Sequence, residues 1–156
     1  MHELDRMEKR ILALLQKNAS LSSSEIAERL GSSQSPIWRR INNLEKSGII
    51  AKKVALADNK KLGIGIVVFV RIKMTQHGRQ ALSEFENKIC KFPQVQECQL
   101  LLGESDFRLR VIAKDLDNYE KFLRENLMQM NGVREIVSSV VVRSAKDTRE
   151  IPLELM

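Results

Sequence analysis

Three consecutive segments near the start of the chain repeat their apolar side chains at helical spacing. Apolar residues recur every three or four positions from Leu4 to Leu15, which predicts an amphipathic helix with its charges turned outward. A short second helix is predicted after Ser22, because Ser22 and Glu25 have the spacing of a capping box and Gly31 can end the helix in a left-handed conformation. A third helix is predicted from Gln34 to Ser47.

The third predicted helix carries an apolar stripe by which it can pack against the other two. Ser32 or Ser33 can cap its start, and Gly48 can end it. Trp38 is interpreted as a residue of the core or of a domain interface rather than one that stacks on a base. The β-branched residues and the lysine pair between Ile49 and Leu56 predict a short strand or wing. The stripe consists of Ile37, Trp38, Ile41 and Leu44.

The pattern changes after the polar stretch Ala57 to Lys61, and strands begin to alternate with helices. Their order, strand, helix, strand, strand, helix, strand, is the split βαβ arrangement of ferredoxin-like domains. We therefore expect an α+β protein with a winged helix-turn-helix in residues 1–52, a strand and linker in 53–62, and a ferredoxin-like βαββαβ effector and oligomerisation domain in 63–156. The predicted elements of this domain are strands 64–74, 94–102, 107–113 and 133–143 and helices 78–90 and 116–130.

Two helices on one face of such a sheet leave its other face uncovered. We expect that face to be apolar, so that a second copy of the chain covers it, and we predict at least a dimer.

Composition and charge add an anionic partner to this picture. The chain is 43% hydrophobic and 29% charged, as expected for a protein that buries a core, and its net charge is +6. The excess of positive charge is local, because the stretch from Gly31 to Val54 holds five Lys or Arg residues and a single acid, Glu45.

Several classes of protein are disfavoured. The longest apolar run, residues 64–70, is too short to span a bilayer, and the two cysteines, Cys90 and Cys98, predict free thiols in a cytoplasmic protein. His2 and His77 are far apart, and the cysteines lack companion ligands, so we expect no metal site, no cofactor and no catalytic role.

The third helix has the features of a recognition helix that enters the major groove of double-stranded DNA. Asn and Gln side chains can pair bidentately with adenine, and Arg can pair with guanine or hold a phosphate. The alternative is a three-helix packing module whose polar residues are simply solvated, and Lys52 and Lys53 are either phosphate contacts or solvated too. The candidate DNA-binding residues are Gln34, Ser35, Arg39, Arg40, Asn42 and Asn43.

Residues 4–63 resemble the N-terminal domain of the Lrp/AsnC family, the bacterial and archaeal feast/famine transcriptional regulators. The most specific part is the R-R-I-x-x-L-E-x-x-G-I-I stretch from Arg39 to Ile50, and the preceding Pro36-x-Trp38 pair resembles one subgroup of the family. The remainder is similar as well, through a G-x-x-D turn at 103–106 and the ending at 146–153.

The resemblance implies a regulator that dimerises through its sheets, assembles further into rings such as octamers, and binds an amino acid between dimers near the G-x-x-D turn. Asp106 in that turn would hold the ammonium group. Ser105 stands where an aromatic is common, and Ile136 stands where a threonine is frequent, which leaves the identity of the amino acid open. The ligand-binding residues implied are Leu101, Gly103, Glu104, Ser105, Asp106, Ser138 and Ser139.

An architectural protein that coats DNA without sequence preference or effector is the alternative function, because a basic multivalent assembly can bind through phosphate contacts alone. Whether affinity depends on DNA sequence at fixed salt separates the two.

Overall fold

The computed structural model of the protein describes residues 3–76 and 78–155, so that His2 and His77 lie outside the described residues. The chain divides into two compact units. The first contains the residues up to Leu56 together with the tail that begins at Lys146, and the second runs from Ala57 to Ala145. The tail, which we expected in the second domain, belongs to the first unit. There the side-chain amide of Gln16 forms two hydrogen bonds with the backbone of Ile151.

Three helices form the first unit, and local capping explains where two of them begin. Asp5 accepts from the N–H of Glu8, and Ser22 accepts from the N–H of Glu25, each as part of a complete capping box. Gly31 ends the second helix with φ +63°, a conformation that costs little only at glycine. The helices are α1 (Arg6–Lys17), α2 (Ser23–Leu30) and α3 (Gln34–Lys46).

The start of α3 is capped less completely than the sequence suggested. Ser33 occupies the N-cap position, but its side chain makes no capping hydrogen bond. Pro36 is the third residue of the helix and has no N–H to donate, which removes one of the two usual partners of a capping side chain. Gly48 follows the helix with φ +76°, as expected for a residue just past a C-terminus.

The core of the first unit confirms three of the four residues of the predicted stripe on α3. Ile37, Ile41 and Leu44 are buried against residues of α1 and α2 such as Ile11. Trp38 is 56% exposed, so the core, one of the two places predicted for it, is wrong, and a place at a domain interface stays a prediction. Neighbouring residues on a helix are about 100° apart, which turns Trp38 away from the buried side that Ile37 faces.

The strand predicted between Ile49 and Leu56 does not form. This stretch is described throughout and has no strand assignment, nor has any other described residue of the first unit. A strand needs a neighbour for its backbone N–H and C=O groups, and the described part of this unit offers none.

The second unit is a four-stranded antiparallel sheet with two helices, which confirms the ferredoxin-like prediction. The strand order is β2-β3-β1-β4. The helix that begins at Leu116 ends at Glu125, short of the predicted Met130. Asn126 leaves the helical conformation, and a separate 3-10 turn follows at Leu127–Gln129. The elements are β1 (Ile66–Met74), α4 (Arg79–Ile89), β2 (Val95–Leu100), β3 (Phe107–Ala113), α5 (Leu116–Glu125) and β4 (Val133–Val140).

One face of the sheet forms the core of this unit. Alternate residues of β1, among them Val70 and Ile72, are fully buried on the side of the helices. Phe107 of β3 packs on Phe85 of α4 with ring centroids 4.7 Å apart. This packing holds the start of β3, and with it the end of the preceding turn.

The opposite face is more polar than we expected. Phe69 pairs in register with Arg110, and Arg71 pairs with Arg108, so these side chains share the face that the helices leave open. The guanidinium of Arg108 lies 4.3 Å from the centroid of the Phe69 ring. The expectation of an apolar face is therefore corrected to a mixed face of apolar and cationic side chains. Among the described residues, no helix is long and apolar enough to cross a membrane.

Candidate functional site

The side of α3 that faces away from the core carries most of the predicted DNA-binding residues. Gln34, Ser35, Arg39 and Asn43 are exposed, and Asn42 is half-buried. Gln34 lies at the start of the helix, where its Nε2 donates to Oγ of Ser23 at 3.2 Å. These residues form a polar surface presented by a single helix, as recognition by base-edge hydrogen bonds requires.

Arg40 differs from the other candidates because it is already paired. Its guanidinium forms an ion pair with Asp5 and lies 3.9 Å from the carboxylate of Glu8. The pKa of Asp5 is lowered, first by the hydrogen bond from the N–H of Glu8 and then by the hydrogen bond from Arg40. Arg40 therefore ties α3 to the start of α1, a structural role that the sequence pattern did not suggest.

The remaining charges leave this part of the first unit positive. Lys53 is neutralised by Glu45 at 2.6 Å. Arg39, Lys46 and Lys52 form no ion pair with any residue that the structure describes. A phosphate backbone is the kind of partner that such unpaired cations bind, and the binding weakens with salt.

The second predicted site is the turn between β2 and β3, which is held by hydrogen bonds to β1. The N–H of Leu101 donates to the carbonyl of Asp106 at 2.8 Å and closes the turn. Asp106 donates its N–H to the carbonyl of Ile72 at 2.9 Å, and its Oδ2 accepts from the N–H of Met74 at 2.7 Å. One carboxylate oxygen of Asp106 thus anchors the turn. Gly103 has φ +158°, and a Cβ there would meet nothing within 4 Å.

A small pocket of about 20 Å³ lies beside this turn on the open face of the sheet. Lys73 reaches into it, with its Nζ 3.4 Å from Glu104 and 3.7 Å from Glu135. A cation between two carboxylates can exchange partners with a zwitterion, whose own carboxylate and ammonium match both signs. The volume suits about one water molecule. The lining residues are Arg71, Lys73, Glu104, Ser105, Glu135 and Val137.

The structure does not bring the two predicted serines of β4 to this pocket. Ser138 pairs in register with Val70 on the helix side, where its Oγ lies 2.5 Å from the hydroxyl of Tyr119. Burial raises the pKa of Tyr119, and the hydrogen bond with Ser138 opposes that rise. Ser139 pairs with Phe69 and points to the opposite face. Neighbouring residues of a strand cannot line one pocket, since their side chains alternate.

Sequence reasoning missed the charged residues that β1 and β4 bring to the turn. Arg71 and Lys73 alternate with buried residues in a strand that is otherwise apolar, and Glu135 pairs directly with Lys73. The alternation of charge in β1 was a visible signal, but only the strand order places it beside the turn.

The described residues contain no cluster of His, Cys, Asp and Glu that could hold a metal ion. Cys98 is half-buried, and burial, with a contribution from the Cys90 thiol, raises its pKa to about 12. A thiol with so high a pKa is a poor nucleophile at neutral pH.

A helix-turn-helix unit whose Arg39, Lys46 and Lys52 form no ion pair within residues 3–76 and 78–155, joined to a ferredoxin-like unit with a charged pocket at a turn, has the organisation of a two-part DNA-binding regulator. Residues 4–51 match the family model described as winged helix-turn-helix DNA-binding. Residues 67–151 match the model described as Lrp/AsnC ligand binding domain. The chain belongs to the Lrp/AsnC family of transcriptional regulators, as its sequence resemblance predicted.

Three relatives illustrate how far the similarity extends. The transcriptional regulator AzlB of Bacillus subtilis is 37% identical over 153 residues, 98% of each chain. The leucine-responsive regulatory protein of Escherichia coli is 30% identical over 97% of this chain and 93% of its own. A transcriptional regulator of Neisseria meningitidis, solved in complex with L-Met, superposes with a TM-score of 0.93 at 32% identity and covers 99% of this chain and 100% of its own. The relatives are transcriptional regulators, which fits a protein without a catalytic role.

Proposed function

We propose that α3 enters the major groove of specific DNA sites and that an amino acid bound beside the β2–β3 turn modulates DNA binding or assembly. The observation that carries the first half is the contrast between two adjacent arginines. Arg39 is exposed with no ion-pair partner among the described residues, whereas Arg40 is held by Asp5. The polar residues Ser35 and Asn42 accompany Arg39 on the exposed side and supply base-edge contacts.

The two arginines form a matched pair for testing this half. A duplex that the protein prefers is first obtained by selection from a randomised pool at fixed salt. Arg39→Ala should weaken binding by about 1–3 kcal/mol in a gel-shift titration, the scale of one good base or phosphate contact. Arg40→Ala should weaken it less, because Arg40 is already paired with Asp5. Equal losses, or no loss for Arg39→Ala, would contradict the assignment.

The amino-acid site is supported by the charges around the turn and by the relatives. Lys73 lies between Glu104 and Glu135, which offers one cation and two carboxylates to a zwitterion. One relative is named for its response to leucine and another was crystallised with L-Met. The pocket of about 20 Å³ is too small for an amino acid in one chain, so a second copy completes the site. The proposed assembly is a homodimer that assembles further, with an octamer as the form that the family resemblance implies.

Calorimetric titration with L-Met and L-Leu tests this site. Lys73→Met should lower the affinity at least about tenfold, because the cation that meets the ligand carboxylate is lost. Lys91→Met is the matched control, since Lys91 is an exposed lysine of the same unit away from the pocket. Normal affinity in Lys73→Met would place the ligand elsewhere.

An architectural DNA-binding role is the second candidate, favoured by Arg39, Lys46 and Lys52, which have no ion-pair partner in the described part of the chain. Contacts of this kind bind phosphates whatever the sequence. If duplexes of different sequence bind equally at fixed salt, and no amino acid alters the binding, this second candidate is the better description.

A further inference from the structure

Trp38 is the one tryptophan of the chain, and it lies on the exposed part of α3. Its side chain is 56% exposed, although it is among the largest apolar side chains that a protein has. Gln34 and Asn42 lie one helical turn before and after it, so the three form a row along the helix. Arg39 borders this row on the polar side.

Within the described part of its own unit, no core packing explains an indole at this position. Trp38 does not belong to the core cluster of the first unit or to the apolar residues packed against it. Within the described part of the chain, no aromatic ring and no cation stacks on it. An exposed indole beside polar side chains fits a residue that is buried when a partner binds, since tryptophan is enriched at the centres of binding interfaces.

The surroundings of Trp38 indicate that this partner is double-stranded DNA. It is the fifth residue of α3, in the half of a recognition helix that contacts base edges, and the neighbouring cation Arg39 suits a polyanion. Bases inside a duplex are stacked on one another, so a side chain in the major groove meets their edges. The one apolar group on those edges is the 5-methyl group of thymine.

We propose that Trp38 contacts a thymine methyl group and thereby contributes to sequence specificity. This inference rests on the proposed entry of α3 into the major groove. It assigns to Trp38 a role that the apolar stripe of the sequence had concealed, since the same periodicity includes the buried Ile37 and Ile41. The indole supplies affinity only at sites where a thymine stands opposite it.

A double-mutant cycle between protein and DNA tests the proposal. Each thymidine of the selected duplex is replaced in turn by deoxyuridine, which lacks only the methyl group. At one position the wild-type protein should lose about fourfold in affinity, the factor expected for one buried methyl group. Trp38→Ala should bind the parent duplex at least about fourfold more weakly and should no longer respond to that replacement. Trp38→Phe keeps an apolar ring and should remain sensitive.

The fluorescence of Trp38 gives a second reading, because no other tryptophan contributes to it. Its emission should change when the selected duplex is added, and change less with the deoxyuridine duplex. If Trp38→Ala responds to every methyl deletion as the wild type does, the proposal is overturned. It is also overturned if Trp38→Ala alters the sedimentation of the free protein, which would indicate a contact between copies of the chain.

Failure of the inference and failure of the proposed function are distinguishable with Arg39→Ala. If that variant binds DNA as tightly as the wild type, α3 is not the recognition helix, and both the proposed function and the inference about Trp38 are wrong. If Arg39→Ala binds weakly and still responds to the methyl deletion, whereas Trp38→Ala does not respond, both stand. If Arg39→Ala binds weakly and the Trp38 cycle shows no coupling, only the inference about Trp38 is wrong.

Discussion

The exposed side of α3 and the turn between β2 and β3 are built in different ways. The candidate DNA-binding residues lie within one helix of thirteen residues, so their mutual placement follows from helical geometry. The pocket beside the turn combines residues of β1, the turn and β4, which are about thirty residues apart along the chain: Lys73, Glu104 and Glu135. A local site tolerates distant changes that a site assembled from three segments does not.

The difference also concerns how each site is anchored. The contact from Arg40 to Asp5 is a pair of half-exposed side chains, with the Arg40 side chain 35% exposed. The contact from Asp106 to the N–H of Met74 is a hydrogen bond from buried backbone to a partly buried carboxylate. We therefore expect the turn to depend on its anchor more than α3 depends on Arg40.

The largest effect should follow from Phe107→Ala. Phe107 is fully buried, packs on Phe85 and directly follows Asp106, so a cavity there should loosen the turn as well as the core. We expect a loss of about 3–5 kcal/mol in the free energy of unfolding, measured by urea denaturation. Phe107→Leu fills more of the space and should lose less. If both variants equal the wild type, the turn does not depend on this core.

An intermediate effect is expected for Asp106→Ala, which removes the acceptor for the N–H of Met74. The loss should be about 1–3 kcal/mol in thermal or urea unfolding, because the donor remains partly buried without its partner. Asp106→Asn keeps a carbonyl oxygen and should recover part of the loss. Stability unchanged in Asp106→Ala would show that this anchor is dispensable.

The smallest effect should come from Arg40→Ala, at most about 1 kcal/mol at neutral pH, because the pair is half-exposed. The contribution of the Arg40–Asp5 pair should be easier to detect in the pH dependence of stability. The pKa of Asp5 is lowered below its ordinary 3.8, so its stabilising contribution is present above that value and is lost as the pH falls through the folded pKa. As the pH is lowered below about 4, the midpoint temperature of thermal unfolding should therefore fall less steeply in Arg40→Ala than in the wild type. Parallel pH profiles would contradict this account.

Local patterns predicted most of the fold. The capping box at Ser22 and the glycine stops at Gly31 and Gly48 are short-range signals, so α3 could be placed from the sequence to within about two residues, whereas α5 ends five residues before its predicted end. The antiparallel sheet with two helices followed from the order of the elements and the split βαβ motif, and the structure adds the strand order β2-β3-β1-β4. The strand expected between 49 and 56 failed because β-branched residues favour a strand only where a neighbour can pair with it.

The candidate sites were predicted less evenly. Five of the six residues proposed for DNA binding lie at the surface and form no ion pair with any described residue, but Arg40 is paired with Asp5, thirty-five positions away. Periodicity placed Trp38 on the apolar stripe, yet it lies at the edge of that stripe, where a difference of one helical position decides between core and solvent. Ser138 and Ser139 could not be separated by sequence, because only the register shows which faces the helices.

The sequence by itself determined the two-part order of the elements and the position of the predicted recognition helix, because capping and periodicity act over a few residues, and its resemblance to the Lrp/AsnC family supplied the class of the protein and the G-x-x-D turn. The tertiary structure decided which side chains meet. It paired Arg40 with Asp5, used Asp106 as an anchor, brought Lys73 between Glu104 and Glu135, and left Trp38 exposed. Such contacts join segments far apart in the chain, and they exist only after strand register and helix packing have brought those segments together.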